Sequence, residues 1–289
     1  MPRASYVNGR YVRHLQAMVH IEDRGYQFAD GVYEVIGVFG GCLIDVEEHL
    51  DRLERSLSEL RMVPPLGRTS LKIIGRETLR RNHVQNGKIY IQISRGVATR
   101  DHPFPASSKS SLIVTASSGS WPSLSKAKTG SAVVTGPDLR WRRCDIKSVS
   151  LLPNLLAKQT AVEAGAAELW MTDDNGFVTE GTASNAWILT SEDEIITRQA
   201  DDGILAGITR QTLIRLIKRE GYKLTLRAFT IEEAKAAKEA FFTSATAIVK
   251  PVTSIDGDRI GKGVPGEITC KLIDLYFNHM HDTRDHHGH

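Results

Sequence analysis

Residues 31–60 place the tightest limit on what this 289-residue chain can fold into. The stretch GVYEVIGVFGGCLID is rich in β-branched and aromatic residues and breaks at Gly40-Gly41, which predicts two strands. Directly after it, Val46, Leu50, Leu53, Leu57 and Leu60 recur at the spacing of one helix face. Asp45 followed by Glu48 predicts a capping box at the start of that helix. A hydrophobic pattern that changes period so abruptly belongs to a mixed α/β chain, α+β-like in its strand-rich parts.

The same alternation continues on both sides. Asn8-Gly9 predicts a hairpin, a second helix spans about 69–84, and KIYIQISRG and SLIVTAS are strands flanking the Pro- and Ser-rich loop TRDHPFPASSKSS. Beyond residue 130 the predicted strands are SAVVTG, the stretch around Lys147, ELWMT, GFVTEG, NAWILT, EIITRQ, YKLTLRAF and AFFTSATAIVKPV. Helices are predicted over 154–164, through GITRQTLIRLIKREG, over TIEEAKAAKE with Thr230 and Glu233 as its capping pair, and over 266–279. The division read from composition is a small N-terminal α/β domain (1–117), a linker (118–130), a larger strand-rich domain (131–279) and a His-rich tail (280–289), expected to be disordered.

Charge and composition narrow the function. A formal charge of +3 with dispersed basic residues argues against nucleic acid or an anionic membrane as partner. No apolar run reaches the roughly 20 residues of a membrane span, and the first residues lack the apolar core of a secretory signal. Cys42, Cys144 and Cys270 are scattered and not at metal-ligand spacing, which fits a reducing cytoplasm. No metal site is expected, and the terminal histidines read as a tract that takes up metal adventitiously.

Lys147 stands among Ile146, Val149, Leu151 and Leu152. Two readings are open: a strand lysine whose ammonium reaches back to water, or an amine whose apolar surroundings favour its neutral, nucleophilic form. Glu180 follows a hairpin and precedes Gly, Thr, Ala, Ser and Asn, small or polar residues of the kind found where backbone approaches a ligand. A carboxylate beside a pyridine nitrogen keeps it protonated and makes the ring an electron sink. Gly207-Ile208-Thr209 opens a helix, where free N–H groups and the dipole favour an anion, though ordinary capping explains the same residues. The turn Thr243-Ser244-Ala245-Thr246 offers further donors, and Arg52 offers a bidentate cation or a surface salt bridge. Arg100 and His102, on the loop after KIYIQISRG, are either a grip for a carboxylate or plain surface charge.

Six segments standing in one order, EDRGYQFADGVYEV, EEHLDRL, RGVATRDHPFP, RCDIKSVSLLPNLLAKQ, VTEGTASN and ILAGITR, make the chain resemble the D-amino acid aminotransferases of the fold-type IV pyridoxal-phosphate enzymes. That group also holds branched-chain aminotransferases and aminodeoxychorismate lyase. The likeness runs from about residue 6 to 275; the DIKS and TEG elements belong to the whole fold type, and the R-x-H element points to the D-amino acid branch. The resemblance implies two domains with the active site between them and pyridoxal 5'-phosphate held on Lys147 as an internal aldimine. It also implies ping-pong transfer between D-amino acids and 2-oxo acids. Glu180 is implied at the ring nitrogen, Leu205 behind the ring, and Arg52, Ile208, Thr209, Ser244 and Ala245 at the phosphate. Tyr33, with Arg100 and His102 from the partner subunit of a homodimer, is implied as the trap for the substrate carboxylate, and Glu34 as a residue near the lysine that tunes it. Ala245 departs from the pattern, since a threonine is expected there. A branched-chain L-amino acid or (R)-amine transaminase of the same fold is the alternative, and a non-catalytic cofactor-binding module a distant one that the presence of both Lys147 and Glu180 argues against.

Overall fold

The computed structural model describes residues 3–287. By internal contacts the chain divides into two units, the first of Met1–Trp121, Ile146–Ser150 and His281–His289, the second of Pro122–Asp145 and Leu151–Met280. The first boundary falls inside the predicted linker, whereas residues 146–150, expected in the second domain, belong to the first unit.

In the first unit, β1 (Ala4–Val7) and β2 (Arg10–Arg13) form the hairpin expected at Asn8-Gly9, both of which take positive φ. There follow α1 (Arg24–Phe28), β3 (Gly31–Phe39), β4 (Cys42–Leu43), α2 (Val46–Glu59), α3 (Arg68–Asn82), β5 (Gly87–Ser94) and β6 (Ser111–Ser118). Among the described residues these strands form a six-stranded antiparallel sheet in the order β2-β1-β6-β5-β3-β4. Strand pleating puts Val32, Glu34, Ile36 and Val38 of β3 on one face, each at 0–1% exposure. Leu50, Leu53 and Leu57 of α2 join the same core, and burying each contributes about 2 kcal/mol.

Two local expectations are corrected here. Asp45 does not cap α2 through its side chain; it takes the left-handed conformation (φ 50°), because the chain must turn from β4 into the helix within two residues, and aspartate tolerates that region. The Lys147 stretch is not a strand. It lies along β3 through the single bridge Val32–Ser148, with the Tyr33 N–H donating to the Lys147 carbonyl and the Val149 N–H to the Gly31 carbonyl, both at 3.0 Å. Ser148 N–H folding back to the Ile146 carbonyl at 2.8 Å ends the pairing. These bonds to β3 are why 146–150 belongs to the first unit.

The second unit contains α4 (Leu124–Ala127), β7 (Ser131–Pro137), α5 (Leu152–Glu163), β8 (Glu168–Thr172), β9 (Val178–Gly181), β10 (Asn185–Leu189), β11 (Ile195–Thr197), α6 (Ile208–Arg219), β12 (Leu224–Leu226), α7 (Ile231–Ala236), β13 (Glu239–Ser244), β14 (Ile248–Ile255), β15 (Asp258–Arg259) and, as far as Met280, α8 (Glu267–His287). Its sheet runs β12-β11-β10-β13-β14-β7-β8-β9, with β15 on β14 and with β7 parallel to both β8 and β14. β10 is buried along its whole length, as a strand covered on both faces is, and Trp187 stacks on Phe241 of β13 with ring centroids 5.4 Å apart. Asn185 pairs with Thr243, which sets the start of β10 beside the end of β13. The capping box expected at Thr230 and Glu233 is present.

α8 is longer than the 266–279 expected. Residues 280–287 of the His-rich tail continue the helix, while Gly288 and His289 lie outside the described residues. Glu239 caps its start by accepting from the N–H groups of Ile268 and Thr269, and within the first unit the His281 ring meets the edge of Phe39 at 4.8 Å. Among the described residues no helix is long and apolar enough to cross a membrane.

Candidate active site

Glu34 occupies a place in an otherwise apolar row of β3, so its charge needs partners there. Arg52 of α2 supplies Nε to Oε1 and Nη2 to Oε2, both at 2.8 Å, and His49, one turn earlier, donates Nδ1–H to Oε2 at 2.7 Å. Burial by itself raises a carboxyl pKa; the Arg52 charge and the hydrogen bonds from Arg52 and His49 overcome that and bring Glu34 down to about 2. Burial holds His49 below its ordinary value against the pull of Glu34, so the ring is neutral at pH 7.

A stability prediction follows from the sign of this shift. Glu34 is lowered from 4.5, so its contribution is complete above pH 4.5 and is lost as pH falls towards 2. Glu34→Gln should cost about 3 kcal/mol at pH 7 in urea unfolding, and the gap to the wild type should close under acid. Equal stability of the two proteins at pH 7 would remove this triad from the supports of the fold.

Lys147 is placed by its backbone. Besides the bond from Tyr33, its own N–H donates to Ser56 Oγ of α2 at 3.2 Å. Its side chain brings Nζ to 4.2 Å from the Tyr33 ring centroid, and Tyr33 lies 5.7 Å from Tyr90. The first unit thus gathers Lys147 with Tyr33, and Glu34 with Arg52. His49 was missed, because nothing marks it within a helix of polar and apolar residues. Arg100 and His102 stand on the exposed loop after β5, both beside the Phe28 ring.

In the second unit, Glu180 is the last residue but one of β9 and is 5% exposed. Its Oε1 accepts from Arg140 Nη1 and from the Leu205 N–H (3.1 Å), and its Oε2 from Asn185 Nδ2 (2.9 Å). Arg140 also donates to both oxygens of Asp138 at 2.7 and 2.9 Å. Burial opposes its charge, but the two carboxylates raise its pKa well above the ordinary value. Asn185 returns to the Leu205 carbonyl at 2.9 Å, so Leu205 is fixed at both its N–H and its C=O. A β-carbon at Gly207 would stand 2.1 Å from Asn185 Oδ1, so any side chain there would displace the amide that bonds Glu180 and Leu205. With glycine as N-cap, no side chain caps α6, whose first residues Ile208 and Thr209 are buried. The turn after β13 is closed by the Ala247 N–H on Ser244 Oγ at 3.0 Å, leaving Ala245 only its backbone to offer a ligand. Arg140 and Asp138 carried no recognisable pattern, and Asn185 lay inside the quoted VTEGTASN segment without an assigned role.

Each unit by itself holds groups of the kind pyridoxal 5'-phosphate takes: the first a lysine amine suited to its carbonyl, the second a buried carboxylate backed by a guanidinium, suited to its ring nitrogen, and an uncapped helix start suited to its phosphate. Residues 31–255 match the family model described as amino-transferase class IV. The chain is 40% identical to the D-alanine aminotransferase of Bacillus licheniformis over 91% of its own length and 92% of that protein. To the D-alanine aminotransferase of Staphylococcus haemolyticus it is 39% identical, covering 92% and 94%. Among solved structures it is similar to the branched-chain aminotransferase of Thermoproteus uzoniensis with norvaline, at a TM-score of 0.84 and 26% identity over 96% of this chain and 94% of that one.

Proposed function

We infer the reaction from the premise that this chain belongs to the class IV amino-transferase family: it is a pyridoxal-phosphate-dependent transaminase that moves the amino group between D-amino acids, D-alanine among them, and 2-oxo acids such as 2-oxoglutarate or pyruvate. The observation that carries the D-amino acid reading is the identity of 37–40% with D-alanine aminotransferases along nearly the whole chain. The branched-chain enzymes are similar at 23–26% identity and share the fold.

When bound, the cofactor supplies an electrophilic carbonyl and an electron sink. Lys147 would hold it covalently, and its Nζ would carry a proton to and from the substrate α-carbon. Glu180, held by Arg140, Asn185 and the Leu205 N–H, would keep a proton on the ring nitrogen, and Leu205 would support the ring. For the phosphate, the first unit would offer Arg52, oriented by Glu34, and the second would offer the backbone of Ile208, Thr209 and Ala245 with the Ser244 hydroxyl. Tyr33, Arg100 and His102 take the substrate carboxylate. We read the working form as a homodimer in which Arg100 and His102 serve the partner's site. The exposed apolar row Leu152, Leu155 and Leu156 on α5 supports a second copy as its cover. Three free thiols support a reducing, cytoplasmic setting.

A donor panel tests this directly. With 2-oxoglutarate as acceptor, D-alanine should exceed L-alanine, L-leucine and a simple chiral amine in kcat/KM by about 100-fold or more. L-leucine as the best donor would move the chain to the branched-chain reading.

A further inference from the structure

The segment DRGYQFADG, residues 23–31, precedes Tyr33 and has no role in the reading above. Its Arg24 is buried in α1 and donates Nε to Asp30 Oδ2 at 2.8 Å. Arg95 grips the same carboxylate through Nε at 2.7 Å and Nη2 at 3.0 Å. These two guanidinium groups outweigh burial and lower the Asp30 pKa, so its carboxylate stays ionised at neutral pH.

Arg24 then reaches the loop of Arg100 and His102 itself. Its Nη1 donates to the Asp101 carbonyl at 2.7 Å and its Nη2 to the His102 carbonyl at 3.4 Å, while its backbone N–H donates to the Gly96 carbonyl at the root of the loop at 2.9 Å. The Phe28 ring receives two guanidinium groups, Arg24 at 4.8 Å and Arg100 at 4.7 Å from its centroid, and the His102 ring lies 5.8 Å away. Arg95 also lies over Phe104, further along the loop, at 3.7 Å. A long arginine side chain on an exposed loop samples many rotamers, and contact with an aromatic face selects among them.

We propose that Arg24, Asp30 and Phe28 are positioning residues that fix the loop backbone at 101–102 and the reach of Arg100 and His102, and so set the affinity for the substrate carboxylate. The inference rests on the reading of Arg100 and His102 as the carboxylate trap. A small displacement of a substrate-holding group is costly, because the reacting geometry tolerates little error.

The test uses the full-length holoenzyme with D-alanine and 2-oxoglutarate, comparing Phe28→Leu, Phe28→Tyr and Arg24→Met with Arg100→Ala. Phe28→Leu should raise KM for D-alanine about fivefold to tenfold with kcat within about twofold, and Phe28→Tyr, which restores the aromatic face, should return KM to near the wild-type value. Arg24→Met should raise KM about tenfold or more, with cofactor affinity unchanged in every variant. If Arg100→Ala raises KM while Phe28→Leu and Arg24→Met leave it alone, the positioning role is overturned and the trap stands. If Phe28→Tyr is as impaired as Phe28→Leu, the aromatic contact is not the cause and the proposal also falls. Unchanged KM in Arg100→Ala removes the trap and this inference with it. Should Arg24→Met fail to fold, the two Phe28 variants decide the matter.

Discussion

Replacing Lys147 by alanine should lower kcat for D-alanine and 2-oxoglutarate by about 1,000-fold or more, and the cofactor should wash out on gel filtration as it does not from the wild type. The fold gives this result a clear meaning. Lys147 is located by its backbone, through the Tyr33 N–H on its carbonyl and its own N–H on Ser56 Oγ, and truncating the side chain leaves both bonds in place. The unfolding midpoint should therefore move little while turnover disappears. A Lys147→Ala protein that transaminates at the wild-type rate would end the assignment of this lysine.

Glu180→Gln should lower kcat by about 100-fold or more with a much smaller change in cofactor affinity. The amide keeps the shape of the side chain but carries no charge to hold a proton on the ring nitrogen. Its surroundings are built to present an anion: Arg140, the Leu205 N–H and Asn185 Nδ2 are all donors turned towards it. Arg140 keeps both oxygens of Asp138 in the variant, so its buried charge retains a partner and the fold should survive. Near-UV circular dichroism should match the wild type. A variant that keeps kcat within about threefold would show that Glu180 supports the sheet rather than the chemistry.

Local rules made most elements legible, and they failed where the chain had to satisfy something distant. The α7 capping box and the Asn8-Gly9 hairpin depend on neighbours in sequence, and both formed as read. Asp45 also looked like a cap, yet the short path from β4 into α2 forced it into the left-handed region, where its side chain does not cap. The histidines beyond residue 279 predict disorder, yet residues 280–287 continue α8, where the His281 ring packs on Phe39. Residue type and flanking pattern left Lys147 and Glu180 open between a solvated and a catalytic reading, and only the resemblance of six ordered segments gave them a cofactor to serve. The groups that hold the site's charges were not legible: Glu34 lies 15 and 18 residues from His49 and Arg52, and Glu180 lies 40 from Arg140.

By itself the amino-acid sequence determined most of the mixed α/β elements and marked a lysine, a carboxylate and a helix start as candidates for a cofactor site. Each is encoded in a few contiguous residues, through hydrophobic period, turn chemistry and side-chain type. Only the tertiary structure decided which groups meet: Glu34 with the Arg52 charge and the His49 N–H, Glu180 with Arg140, and Asp30 with Arg24 and Arg95. Burying a carboxylate is tolerable only beside a cation or a set of hydrogen-bond donors, and strand register and helix packing select which one arrives.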